Sequence, residues 1–205
     1  MDLLAFVIEM IGTVAFAVSG ALVAIKKKMD ILGVCVLGAT TAVGGGIIRD
    51  LILGNTPPQA FDRPVYIITA VAVSVLVFLP GMRRLIRSEQ ARFDFALRVM
   101  DALGLSIFTV IGIAVAYEGS DNGFLLVFVG VLTGVGGGVM RDVLAGQTPY
   151  ILVKHFYCMA AIIGAVLTVL LLRPLGSSRA MLCGAVVIFV LRTLAARYHW
   201  KLPRA

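Results

Sequence analysis

Thr41-Ala42-Val43-Gly44-Gly45-Gly46-Ile47-Ile48-Arg49-Asp50 recurs 92 residues later as Thr133-Gly134-Val135-Gly136-Gly137-Gly138-Val139-Met140-Arg141-Asp142. Each copy lies inside a long apolar run, where both glycine triplets and charges are costly. Glycine costs a helix about 0.8–1.0 kcal/mol relative to alanine, so a triplet gives up roughly 2–3 kcal/mol. A charged side chain near the middle of a bilayer costs about 2.5–3.5 kcal/mol more on insertion scales. A chain that accepts both costs twice, in one register, builds one structure from two halves.

The runs around the motif decide the class. Of 205 residues, 60% are hydrophobic and 14% charged, and the mean hydropathy is +1.02. A soluble domain carries about a quarter charged residues. This is an all-α, polytopic integral membrane protein. The first run begins almost at Met1, without a basic region ahead of it or a small-residue cleavage site, and reads as a retained transmembrane helix. The net charge of +7 sits between apolar runs and forms no aromatic-interleaved patch, which points to topology and away from nucleic acid. Cys35, Cys158 and Cys183 are isolated and odd in number, so they read as small buried hydrophobes, with neither a disulfide framework nor a zinc site. No Ser-His-Asp set, His-x-x-His pair or nucleotide signature occurs, so no enzyme, catalytic residue, metal or cofactor is expected.

Seven spans of about 20 residues are expected. They lie at Leu3–Ile25, Ile31–Leu53, Val65–Met82, Phe95–Ala116, Phe124–Ala145, Phe156–Leu172 and Ala180–Ala196. Residues 1–82 form a first three-helix repeat, 83–94 a polar cytoplasmic linker, 95–173 a second repeat, and 174–205 a seventh helix with a cytoplasmic tail. Asn55-Thr56-Pro57-Pro58 and Gln147-Thr148-Pro149 stop the second and fifth helices. Lys26, Lys27, Lys28, Arg83, Arg84, Arg87, Arg92, Lys154, Arg197, Lys201 and Arg204 fall on one side of the spans, against Arg63, Arg173 and Arg179 on the other. The excess of basic residues puts the N-terminus outside and the C-terminus in the cytoplasm.

The halves align without a gap from Val7–Pro57 to Val99–Pro149. Gly12 matches Gly104, Phe16 matches Phe108, Gly20 matches Gly112, Gly38 matches Gly130, Gly54 matches Gly146, and acidic Glu9 falls on Asp101. Three helices per unit is an odd number, so the second unit enters from the opposite face and the 3+3 repeat is inverted. Helices 2 and 5 are then expected to break at Gly-Gly-Gly near mid-membrane. Freed carbonyls at such a break must be buried in protein or line a hydrated cavity.

A pathway built this way would use Thr41, Gly44, Gly45, Gly46, Arg49 and Asp50 with Thr133, Gly136, Gly137, Gly138, Arg141 and Asp142. Each carboxylate would partner the neighbouring or the symmetry-related arginine. The alternatives are helix packing for the glycines, a structural ion pair for each Arg-Asp, and back-bonding to a carbonyl for the two threonines. Gly12, Gly20, Gly104 and Gly112 read as packing positions. Glu9 and Asp101 are possible intramembrane functional acids, with an interfacial or packing role as the alternative. Lys26–Lys28 would face the cytoplasmic surface and its lipid, His155 and His199 lie near membrane edges, and Tyr198 and Trp200 read as interfacial anchors.

Two copies of Gly-Gly-Gly-x-x-Arg-Asp, on the second and fifth of seven helices, resemble the trimeric intracellular cation (TRIC) channel family. The closer resemblance is to its bacterial branch, whose members are also described as glycine transporter domain proteins. The resemblance covers nearly the whole chain. It implies a bacterial inner-membrane homotrimer in which each subunit carries its own pore for monovalent cations, mainly potassium, between the helices of the two triplets. On that expectation Asp50 and Asp142 supply negative potential, and Arg49 and Arg141 hold them or act as a gate. The other readings are a carrier for a small neutral amino acid such as glycine, and a scaffold that transports nothing.

Overall fold

The computed structural model describes residues 3–80, 90–153, 156–198 and 200. Most of the expected linker, with Arg83, Arg84 and Arg87, lies outside the described residues, as do Lys154, His155, His199, Lys201 and Arg204. The described residues form helices in the order α1 (Leu3–Lys26), α2 (Ile31–Leu53), α3 (Gln59–Asp62), α4 (Val65–Phe78), α5 (Gln90–Tyr117), α6 (Gly123–Leu144), α7 (Tyr150–Val153), α8 (Tyr157–Leu175) and α9 (Ser177–Arg197). Six of them are long and apolar enough to cross a membrane; α4 is the shorter apolar helix. Its 14 residues span about 21 Å at 1.5 Å per residue, not the full run to Met82. Pro80 sets the end, because the residue before proline avoids helical ψ and Leu79 is extended at ψ 145°.

The two motif helices start and stop by the same chemistry. Asp30 caps α2 by accepting from the Gly33 amide at 2.8 Å, and Asn122 caps α6 by accepting from the Phe124 and Leu125 amides. At the far ends, Gly54 (φ 75°) and Gly146 (φ 61°) take the left-handed conformation that closes a helix. The Asn55 amide then donates to the Asp50 carbonyl, and the Gln147 amide to that of Asp142.

α1 packs on α2, α4 and α5, while α5 packs on α6, α8 and α9. The halves join where α2 meets α6 and α1 meets α5. Along the second seam a Cβ at Gly12 would strike Ile107 and Phe108, and one at Gly104 would strike Phe16. Each phenylalanine fills the notch left by the other half's glycine, with the rings 5.3 Å apart. Gly20 receives Thr41 in the same way, and Gly112 receives Thr133. The four isolated glycines are packing positions, as expected. Leu32, Ile68, Phe124, Leu170 and Leu182 point outward from the bundle, the pattern of a protein whose solvent is lipid. The cysteines are less buried than expected: Cys35 and Cys158 are half-buried, and Cys183 is exposed on the outer face of α9.

The expected breaks at Gly44–Gly46 and Gly136–Gly138 are not there. α2 and α6 run unbroken through their triplets. The glycines instead let two backbones touch. A Cβ on Gly45 would run into the Thr133 carbonyl, one on Gly137 into the Thr41 carbonyl, and one on Gly136 would lie 3.1 Å from Gly45 Cα. Close approach of two continuous helices offsets the propensity lost at each glycine, so no unwinding is needed.

Candidate functional site

The charged ends of the two motifs lie just past this crossing, and both pairs are buried. Arg49 and Asp50 are each 2% exposed, and Arg141 and Asp142 are each 0%. Arginine Nε bonds the neighbouring carboxylate in both: 2.7 Å for Arg49 to Asp50 Oδ1 and 2.8 Å for Arg141 to Asp142 Oδ1. Of the two partnerships expected, the neighbouring one forms. Adjacent residues on a helix do not normally face each other. Here the short helix after each motif turns the carboxylate inward: Asp50 Oδ2 accepts from the Gln59 amide at 2.9 Å, and Asp142 Oδ2 from the Tyr150 amide at 2.8 Å. Gln147 Nε2 adds a bond to Asp142 Oδ1 at 2.9 Å. A buried ion pair needs its remaining lone pairs and protons satisfied; the turns after the helices do that for Asp50 and Asp142, while Arg141 Nη2 is buried without a hydrogen-bond partner among the described residues.

Beyond this shared core the halves diverge. Arg141 Nη1 reaches across to Asp101 Oδ1 at 2.6 Å and to Ser19 Oγ at 2.5 Å, and its guanidinium lies 5.2 Å from the Tyr150 ring. Arg49 makes no such reach: its Nη2 goes to Gln59 Oε1 at 3.2 Å. Glu9, at the position of Asp101, accepts instead from the Tyr66 hydroxyl at 2.5 Å. Between Glu9 and Arg49 lies a cavity of about 30 Å³, walled also by Thr13, Gly46, Asp50, Gln59 and Tyr66. That volume admits one or two waters.

Thr41 and Thr133 donate to the Leu37 and Val129 carbonyls, each at 2.6 Å, and sit against Gly20 and Gly112. The members of each triplet differ in surroundings. A Cβ at Gly44 would meet Met140, whereas one at Gly46 would find nothing nearer than Arg49 Nη2 at 3.8 Å, because Gly46 fronts the cavity. One at Gly138 would lie 3.1 Å from the Tyr157 hydroxyl.

Several residues of these clusters escaped the sequence reading. Gln59, Gln147 and Tyr150 sit in segments read only as helix stops. Ser19, Tyr66 and Tyr157 carry no local signal. Arg192 could have been found, since a charge inside an apolar span is a functional candidate by rule. It is 5% exposed, and its guanidinium lies 4.9 Å from the Tyr157 ring.

Fold and site together define a polytopic helical membrane protein with two buried arginine–aspartate pairs flanking a glycine-to-glycine helix crossing. The family model described as "Glycine transporter" matches residues 6–80 and 98–173, two stretches whose starts are 92 residues apart. The inner membrane protein YadS of Escherichia coli (strain K12) is 38% identical over 203 residues, covering 98% of this chain and 96% of that one. A structure described under "conductance through TRIC cation channels" is 40% identical with TM-score 0.85, covering 97% of this chain and 96% of that one. The TRIC trimeric intracellular cation channel orthologue from Rhodobacter sphaeroides is 35% identical with TM-score 0.87, covering 97% and 100%. The chain belongs to this family, whose solved relatives include the TRIC channels.

Proposed function

We propose that this chain is a monovalent cation channel, carrying mainly potassium, with one pore per subunit of a homotrimer. The observation that carries the reading is the meeting of α2 and α6 at Gly45 and Gly137, directly before two fully buried Arg-Asp pairs. Packing alone gives no reason to bury four charges beside that crossing. The solved relatives described as TRIC cation channels support the ion, and the Rhodobacter sphaeroides orthologue described as trimeric supports the assembly. The halves are inverted, the N-terminus is outside, and the pathway runs along α2 and α6 past Arg49, Asp50, Arg141 and Asp142. With the backbones touching at the triplets, this is the closed arrangement. Opening separates α2 from α6 and takes water into the cavity beside Gly46.

Purified protein in a planar bilayer under a potassium gradient is expected to give unitary currents that reverse near the potassium equilibrium potential. No current at any voltage or gradient would overturn the reading. The name of the family model favours a second reading, a carrier for glycine. Saturable uptake of labelled glycine into proteoliposomes, with counterflow and without unitary current, would select it.

A further inference from the structure

α9 stands outside the repeat, yet it carries a charge into the bundle. Arg192 is 5% exposed, and its Nε is buried without a hydrogen-bond partner among the described residues. An arginine that needs only solvent reaches it along its apolar stem; further along α9, Arg197 is exposed. Arg192 instead lays its guanidinium over the Tyr157 ring, 4.9 Å from the centroid, a cation held by a ring face. The charges of the second motif lie one ring away. The Tyr157 hydroxyl, Arg141 Nη2 and Asp101 Oδ1 are the atoms nearest to the point where a Cβ on Gly138 would stand, at 3.1, 3.7 and 3.8 Å.

The charged neighbours of Tyr157 include Asp101, Arg141, Arg192 and Asp142. Arg141 answers both carboxylates, so those three groups sum to one negative charge, and Arg192 brings the four to zero. Attraction between charges falls off slowly where water is excluded, so a cation one ring away still counts. The first half meets the same need from within the repeat: Glu9 and Tyr66 both have Arg63 as a charged neighbour. At the repeat offset of 92 residues the second half carries His155 in place of Arg63. We infer that Arg192 is the fourth charge of the second-half cluster, a positioning residue on α9 that balances Asp101 and Asp142 through Tyr157 and tempers the negative potential at the Arg141 end of the pathway.

The coupling stands on geometry and charge, whereas its effect on conduction rests on the channel reading, and the two are tested apart. In detergent, Arg192→Gln is expected to lower the midpoint of thermal unfolding by about 5 °C or more, and Arg192→Lys by less. Equal losses in the two would make the charge irrelevant and overturn the inference. Asp101→Asn alone leaves the cluster with a positive excess and also loses stability. Combined with Arg192→Gln it returns the sum to zero, so the double variant should lose less than the two single losses added. An additive or larger loss overturns the coupling, because a packing role for Arg192 gains nothing from Asp101→Asn. If Arg192→Gln yields no folded protein, a folded double variant supports the coupling and an unfolded one overturns it. In bilayers at low ionic strength, Arg192→Gln should raise the unitary potassium conductance about twofold, and the difference should vanish in molar salt. Unchanged conductance beside a measured stability coupling overturns the part of Arg192 in the pathway. If the wild type carries no current, the channel reading fails and the unfolding measurements alone decide the coupling.

Discussion

Arg49 and Arg141 share a motif but not an environment, and removing them should cost different amounts. Arg141 bridges Asp101 and Asp142 at zero exposure. Taking it away strands two buried carboxylates and should destabilise by about 3–5 kcal/mol, the usual cost of breaking a buried pair. Arg49 answers only Asp50 and Gln59, and Asp50 keeps the Gln59 amide. Arg49→Gln should therefore cost less than Arg141→Gln. Denaturant unfolding of both variants in mixed micelles measures the order, and a reversal would contradict the assigned partners.

Among elements, the α2–α6 crossing is the one where single methyl groups decide. Gly45→Ala and Gly137→Ala each push a Cβ into a backbone carbonyl of the other helix, an overpacking cost of about 1–3 kcal/mol. Gly46→Ala meets nothing within 3.8 Å and recovers up to about 1 kcal/mol of helix propensity. Thermal denaturation in detergent should therefore show the middle glycines losing stability and Gly46→Ala equal to or above wild type. Equal losses at all three positions would mean that the triplet is not read position by position. The same crossing explains why α2 and α6 stay whole: each glycine that weakens its own helix is matched by backbone contact from the other.

For the whole molecule, exposed leucine, isoleucine, valine and phenylalanine on α2, α4, α6, α8 and α9 leave the outer faces of those helices apolar and uncovered by the rest of the chain, with α1 and α5 more enclosed. The proposed orientation makes a plain prediction. In a chain lacking its three native cysteines, Ser120→Cys in intact cells should react with a membrane-impermeant maleimide, and Lys27→Cys should react only after the cells are opened. The opposite pattern would invert the topology and with it the side from which the Glu9 cavity is reached.

The sequence by itself determined the class of protein, the helix boundaries to within a few residues, the packing role of the isolated glycines, and the pairing of the motifs at a spacing of 92. All of these follow from hydrophobic run length, capping residues and repetition, which are local or periodic. It left the neighbouring and the symmetry-related ion pairs both open and gave no sign of their supports, because Gln59 and Tyr150 reach Asp50 and Asp142 only after the chain has turned back on itself. Only the tertiary structure decided that the triplets are contact surfaces and not breaks, since glycine permits both and the opposing helix chooses. It alone set the two halves apart: Glu9 and Asp101 occupy matching positions, and which of them receives an arginine depends on atoms more than 30 residues away.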